Sequence, residues 1–226
     1  MEKCNFQGNN GNFDLGYLVY EPDNRSKEPL PMIVFLHGAG ERGNGKDELE
    51  RVKVHALPKY IEAGADYPAI VLCPQCPENL VWNNIVVELK RLIDYVAENY
   101  NADKHRISVT GISMGGYGSW EMGITYPDFF SAIAPVCGGG FYWRGGILVN
   151  MPIWAFHGDK DNVVPVENSY QMIDSIIHSG GNPKFTVFHN VDHGSWDSAY
   201  LETNVIDWLI SQRRENIHEY SFGKDF

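Results

Sequence analysis

The sequence predicts an α/β fold, a mostly parallel central sheet with helices on both faces, forming one domain over residues 1–226 without a large cap domain. Three observations carry this. Apolar runs of strand length alternate with helix-period segments along the chain, the pattern of βα units joined by right-handed crossovers. Thr110-Gly111-Ile112-Ser113-Met114-Gly115-Gly116 lies between a β-branched run, Arg106 to Thr110, and a helical stretch, Gly115 to Thr125, closed by Tyr126-Pro127. Ser113, Asp161 and His193 stand at the C-terminal ends of three strand candidates, where open α/β sheets bind ligands.

Composition narrows the function classes. A chain of 226 residues suits a single domain with a substantial core, and 43% hydrophobic with 21% charged residues is near the globular average. A net charge of −11 with no Lys/Arg run weighs against nucleic acid or an anionic membrane as partner, because nothing offsets phosphate repulsion. A small neutral molecule is easier to accommodate. Residues 1–7 contain no apolar signal core, and no stretch approaches the roughly 18 to 20 apolar residues of a membrane span. With Met1 as the native start the expected location is the cytoplasm; with a leader removed ahead of it, secretion or the periplasm. Four cysteines, at 4, 73, 76 and 137, do not make a disulfide framework in a chain this long. Oligomeric state leaves no trace in the pattern.

The elements follow in order. Gly8 to Tyr20 alternates Phe13, Leu15, Tyr17 and Val19, the period of an antiparallel edge with one buried face, and Glu21 to Pro31 is a polar loop. Met32 to Leu36 is continuously apolar, as a parallel strand covered on both sides requires. It breaks into His37-Gly38-Ala39-Gly40-Glu41-Arg42-Gly43, a loop able to bring backbone N–H groups against a ligand. Asp47 to Ala63 is expected to be partly helical with Pro58 as a break. Ala69 to Leu72 is the next strand, running into Cys73-Pro74-Gln75-Cys76-Pro77; without a helix start or a second cysteine pair, this motif argues against redox or zinc chemistry. Ile85, Leu89, Leu92, Ile93 and Val96 mark an amphipathic helix over 84–100. Phe130 to Val136 reads as a strand and 138–146 as a mobile glycine-rich loop carrying Phe141, Tyr142 and Trp143. Further strands are expected at 152–156 and 185–188, with helices at 167–178 and 196–210.

The Gly-Ile-Ser-Met-Gly turn has the form of a nucleophile elbow. Glycines at 111 and 115 remove Cβ atoms that would clash in a tight turn, letting Ser113 take strained dihedrals with its hydroxyl above the sheet. The amide of Met114 then opens a helix and faces any oxyanion formed there. A serine hydroxyl needs a base to act at neutral pH, and an imidazole, titrating near 6.5 when unperturbed, suits that task. His193 fills this role, and a carboxylate orients it. Asp161 is favoured over Asp159, which is closer to its strand end, and over Asp192, which is too near His193 in sequence to reach its ring. The spacings, 48 residues from Ser113 to Asp161 and 32 from Asp161 to His193, leave room for βα units but not for an inserted cap.

These motifs together resemble the α/β-hydrolase superfamily. Within it the chain is similar to compact carboxylesterases: feruloyl esterases, polyhydroxybutyrate depolymerase-like esterases and dienelactone-hydrolase-like proteins. The matching segments are His37 to Gly43, Asp103 to Ile107 leading into Gly111 to Gly116, His157 to Pro165, and Asp192 to Trp196. The resemblance implies the α/β-hydrolase fold, an acid two positions before Val163-Val164-Pro165, and oxyanion donors at Ala39 or Gly40 and at Met114. Dienelactone hydrolases carry Cys at the elbow, so Ser113 points away from their activity. The expected function is hydrolysis of short-chain or aromatic, feruloyl-type esters through an acyl-enzyme, without metal or cofactor. A serine peptidase of the same fold and a silent binding module are the alternatives. Trp82, Phe141, Tyr142, Trp143 and Trp196 are the candidate aromatic wall of the substrate site, or else a roof over the core edge.

Overall fold

A computed structural model of the chain describes residues 1–7, 14–22 and 28–215. Its strands are β1 (Glu2–Gln7), β2 (Asp14–Tyr20), β3 (Leu30–Leu36), β4 (Ile70–Pro74), β5 (Ala102–Ile112), β6 (Ala132–Val136), β7 (Trp154–Gly158) and β8 (Lys184–Phe188). They form one sheet in the order β1-β2-β4-β3-β5-β6-β7-β8. β2 pairs antiparallel with β1 and β4, whereas all pairings from β4 through β8 are parallel. The expected antiparallel edge is therefore present; Phe13, part of the alternation that predicted it, lies outside the described residues.

β3 shows why a continuous apolar run was needed. Met32, Val34 and Leu36 enter one core cluster while Ile33 and Phe35 enter the other, all fully buried, so strand alternation feeds two cores. The first core is closed by α2 (Val86–Asn99), α3 (Met114–Thr125) and α4 (Glu167–His178), which contribute Leu89, Leu92, Val96, Trp120 and Met172 among others. The second is closed by α1 (Ala56–Glu62), α5 (Trp196–Glu202) and α6 (Val205–Ser211), through Leu57, Ala199, Val205 and Leu209. Each such leucine or valine contributes about 1.5–3 kcal/mol by leaving water.

Four expectations are corrected. Pro58 does not break the helical segment but sits in the first turn of α1, where a missing N–H costs no intrahelical bond. The single helix expected over 196–210 is two, because Thr203 Oγ1 accepts the Val205 N–H and restarts the chain as α6. The loop expected at 138–146 is in part a 3₁₀ helix, Tyr142–Leu148, fastened to α4 where Ser175 Oγ donates to the Tyr142 carbonyl at 2.5 Å. Strand β6 starts later than expected, and Pro135 within it has no N–H for β7; their pairing is limited to Val136 with Phe156 and a bridge from Ile133 to Ile153. Among the described residues no helix is long and apolar enough to cross a membrane.

Candidate active site

β5 passes into α3 through one residue. Ser113 has φ 53° and ψ −114°, a region that side chains other than glycine's avoid, and the surrounding packing has to hold it there. A Cβ on Gly111 would come within 2.5 Å of the Gly115 carbonyl oxygen and 2.6 Å of that of Leu36, and one on Gly115 would run into the Leu36 carbonyl itself. Only glycines let the helix start so close to β3. The Ser113 N–H is tied down from beneath, donating to the Val136 carbonyl at 3.0 Å with Cys137 Sγ at 3.3 Å.

Asp161 lies in the turn after β7 and His193 in the loop after β8. His193 Nε2 is 2.9 Å from Ser113 Oγ, and its Nδ1 is 2.7 Å from Asp161 Oδ2. The other carboxylate oxygen accepts the amides of Val163 at 2.9 Å and Val164 at 2.8 Å. Burial pushes this carboxyl upward, but the His193 hydrogen bond and the two amides outweigh it and hold Asp161 below the usual carboxylate range. An ionised Asp161 fixes the proton of His193 on Nδ1, leaving Nε2 as the acceptor for the Ser113 hydroxyl. Asp159 instead faces solvent and binds His189 Nδ1 at 2.8 Å, and Asp192 caps the Gly194 amide.

One further loop and the start of α3 border Ser113. The 3₁₀ turn Ala39–Glu41 follows β3, and Gly38 at its start is so close that an added Cβ would stand 3.8 Å from the Ser113 Cβ. Arg42 Nε donates to the Ala39 carbonyl at 2.9 Å, which turns the N–H of Gly40 the opposite way. Met114 is the first residue of α3, so its amide has no intrahelical acceptor. Beside these lies a cavity of about 360 Å³ lined by Val81, Asn83, Ser113, Met114 and Tyr117.

The aromatic wall expected from sequence is distributed differently. Trp82 is fully buried, its indole N–H donating to the His37 carbonyl at 3.0 Å and its ring set edge-on against the His37 imidazole. It has no surface to offer a ligand, and the expectation that it binds substrate is corrected. The 3₁₀ turn Trp82–Asn84 directs Trp82 into the core and leaves its neighbours Val81 and Asn83 on the cavity. Trp196 packs edge-on to His193 at 5.7 Å and also meets His55. Phe141, Tyr142 and Trp143 are an exposed group, Trp143 at 68%, outside the cavity lining.

Sequence reasoning missed His157, Cys137 and Tyr117. His157 Nε2 lies 3.2 Å from Asp161 Oδ2, and its signal was present, four positions before the acid in the His157 to Pro165 match. Cys137 had no signal, since a lone cysteine after a strand reads as core. Cys137 Sγ, an Asp161 oxygen and a His193 nitrogen lie within 4.8 Å of one another, donor types that ligate metals. Burial pushes the Cys137 thiol up to about 12, however, and Asp161 and His193 are engaged with each other and with Ser113, an arrangement suited to proton transfer. Cys73 and Cys76 are buried free thiols, both pushed up by burial, Cys76 to about 12.

Residues 9–220 match the family model Esterase, described as "Putative esterase". The chain is 24% identical over 215 residues to Probable acetylxylan esterase A of Aspergillus terreus, covering 86% of this chain and 65% of that protein. It thus spans just under two thirds of the length of that curated relative. Among solved structures, a thermostable esterase superposes with a TM-score of 0.80 at 31% identity, covering 94% of this chain and 63% of its own. A ferulic acid esterase gives 0.68 at 15% identity, over 92% and 98% of the two chains. The fold is that of the α/β-hydrolases, and the chain belongs to the esterase family.

Proposed function

We propose that this chain is a serine esterase that cleaves carboxylic esters through an acyl-enzyme. The observation that carries the reading is the unbroken hydrogen-bond chain from Asp161 through His193 to Ser113, ending on a residue held in a strained conformation. Ser113 Oγ attacks the ester carbonyl carbon as its proton passes to His193 Nε2. The oxyanion is met by the amide of Met114 and that of Ala39 or Gly40. Collapse expels the alcohol, which takes the proton from Nε2. Water then attacks the acyl carbon with His193 again as base, and the acid leaves. Asp161 acts throughout by stabilising the imidazolium, not by accepting a proton.

For the substrate, the cavity supports a small acyl group. Its volume lies at the low end for ligand pockets, and Val81, Met114 and Tyr117 give it an apolar wall. Short acyl groups and a planar hydroxycinnamoyl group both fit that description, and the acetylxylan and ferulic acid esterases among the relatives bear names for those two acyl classes. Hydrolysis of p-nitrophenyl acetate, run against a panel of peptides, tests the assignment. Ester cleavage with the acyl group found on Ser113 by mass spectrometry is the expected result. Peptide cleavage alone would make the chain a peptidase, and turnover of neither would make it a binding module.

A further inference from the structure

We propose that His157 is a positioning residue for the triad, a second imidazole that donates to the carboxylate oxygen already bound by His193 and thereby limits how strongly Asp161 holds the proton of His193. The proposal rests on the assignment of Ser113, His193 and Asp161 given above.

His157 lies near the end of β7 with no exposed surface. Its Nε2 faces two acceptors, the Val164 carbonyl at 2.8 Å and Asp161 Oδ2 at 3.2 Å, so that nitrogen carries the proton. Its Nδ1 is 2.7 Å from Ser169 Oγ on α4, and with that ring nitrogen bare the single hydroxyl proton is shared between Nδ1 and the Gly138 carbonyl at 2.9 Å. Burial outweighs the pull of Val164 and Asp161 and holds the ring below the usual histidine range, so it remains neutral with this tautomer. Asp161 thus receives four N–H groups: His157 and His193 at Oδ2, the amides of Val163 and Val164 at Oδ1. The same His157 proton holds the Val164 carbonyl, so one side chain sets both the shape of the 161–164 turn and the charge on the oxygen that faces His193.

The sign of the effect follows. Each donor to a carboxylate disperses its charge and lowers its basicity. With His157 gone, Oδ2 carries more charge and stabilises the His193 imidazolium further, so the base is lost to protonation at higher pH. The other titratable groups around the triad do not complicate this. Cys137, after β6, and Tyr117, on α3, both have their pKa values raised by burial and stay neutral where an esterase is assayed. His193 itself faces Ser113, Asp161 and the ring of Trp196.

The test is the pH profile of kcat/KM for p-nitrophenyl acetate in wild type, His157→Phe and His157→Gln. Phe fills the space without a donor and leaves Ser169 Oγ the Gly138 carbonyl at 2.9 Å, while Gln restores an N–H. The acid limb is expected to move upward by roughly 0.5 to 1 unit in the Phe variant and to return toward wild type with Gln. A lower plateau with an unmoved limb, or a limb that moves downward, would mean that His157 only supports the turn, and the proposal falls. Should the Phe variant not fold, nitrogen NMR of the ring in Ser113→Ala decides. A protonated Nε2 with a bare Nδ1 on His157 upholds the assignment, and the opposite tautomer overturns it. Turnover surviving in Ser113→Ala overturns the esterase reading instead, so the two failures are separable.

Discussion

Two histidine–carboxylate pairs stand side by side at the end of the sheet, and their hydrogen bonds are nearly equal. Asp161 meets His193 at 2.7 Å, and Asp159 meets His189 at 2.8 Å; both acids come from the turn after β7 and both histidines follow β8. They differ in water. The Asp161 side chain is 0% exposed, whereas Asp159 is 26% and His189 81% exposed. A hydrogen-bonded pair in water competes with solvent and contributes little, whereas a desolvated one has few alternative partners and holds its geometry. The inner pair also leads to Ser113, while among the described residues no hydrogen bond carries the outer pair on to it. Contact distance alone does not distinguish the two pairs; burial and what lies beyond each of them do.

The strongest way to break this comparison is to remove what the inner pair serves. Ser113→Ala is expected to leave a folded protein with kcat lower by on the order of 10⁴ to 10⁶, measured with p-nitrophenyl acetate. Near-native activity would sink the esterase reading. Next in size, Asp161→Asn removes the charge that holds the His193 tautomer and is expected to lower kcat by roughly 10³ to 10⁴. Asp159→Asn, with the same change two positions away, is expected to cost less than about 3-fold, as exposed pairs do. A larger loss at Asp159 would reverse the assignment of the acid.

Acid unfolding sharpens the contrast in stability. The Asp161 carboxyl titrates below its unfolded value, so its contribution is present above about pH 4 and is lost as pH falls through the folded pKa. The thermal midpoint of Asp161→Asn, lower at neutral pH, is therefore expected to converge with that of wild type as pH is lowered below about 4. Parallel midpoint curves for the two proteins would show that the carboxylate contributes nothing to the acid limb.

How much of this was legible in sequence follows the same division. The elbow could be read because its constraints are local: glycines at 111 and 115 and a serine between a strand run and a helical run identify a turn whatever surrounds it. The preference for Asp161 over Asp159 came from the resemblance and from strand-end position; what separates them physically is burial, created by the Val163 and Val164 amides and by His157, none of which a spacing argument contains. Trp82 was misread for the same reason. Nothing in Val81-Trp82-Asn83 shows which of the three turns inward, and the indole went to the His37 carbonyl while its neighbours line the cavity. The helix break at Thr203 was equally hidden, since the apolar period continues across it and only the side-chain hydrogen bond to the Val205 amide ends one helix and begins the other.

The smallest expected effect concerns Trp143, which at 68% exposure is the aromatic counterpart of His189, a group whose worth depends on something covering it. Phe141 lies 5.0 Å and Tyr142 5.4 Å from its ring, so the three present a face with its own internal packing and one open side. If a hydroxycinnamoyl group spans from the Ser113 cavity to this face, it displaces water from both surfaces, and an aromatic pair contributes about 0.5 to 1.5 kcal/mol beyond the area buried. Trp143→Ala should then lower kcat/KM for methyl ferulate by roughly 2- to 10-fold and leave p-nitrophenyl butyrate unchanged, because a flexible acyl chain ends within the cavity. The selectivity matters more than the size. Equal losses on both substrates, or ferulate as the poorer substrate of the wild type, would confine the acyl group to the cavity lined by Val81, Asn83 and Tyr117, and the exposed trio would be as uncoupled from the chemistry as the Asp159–His189 pair.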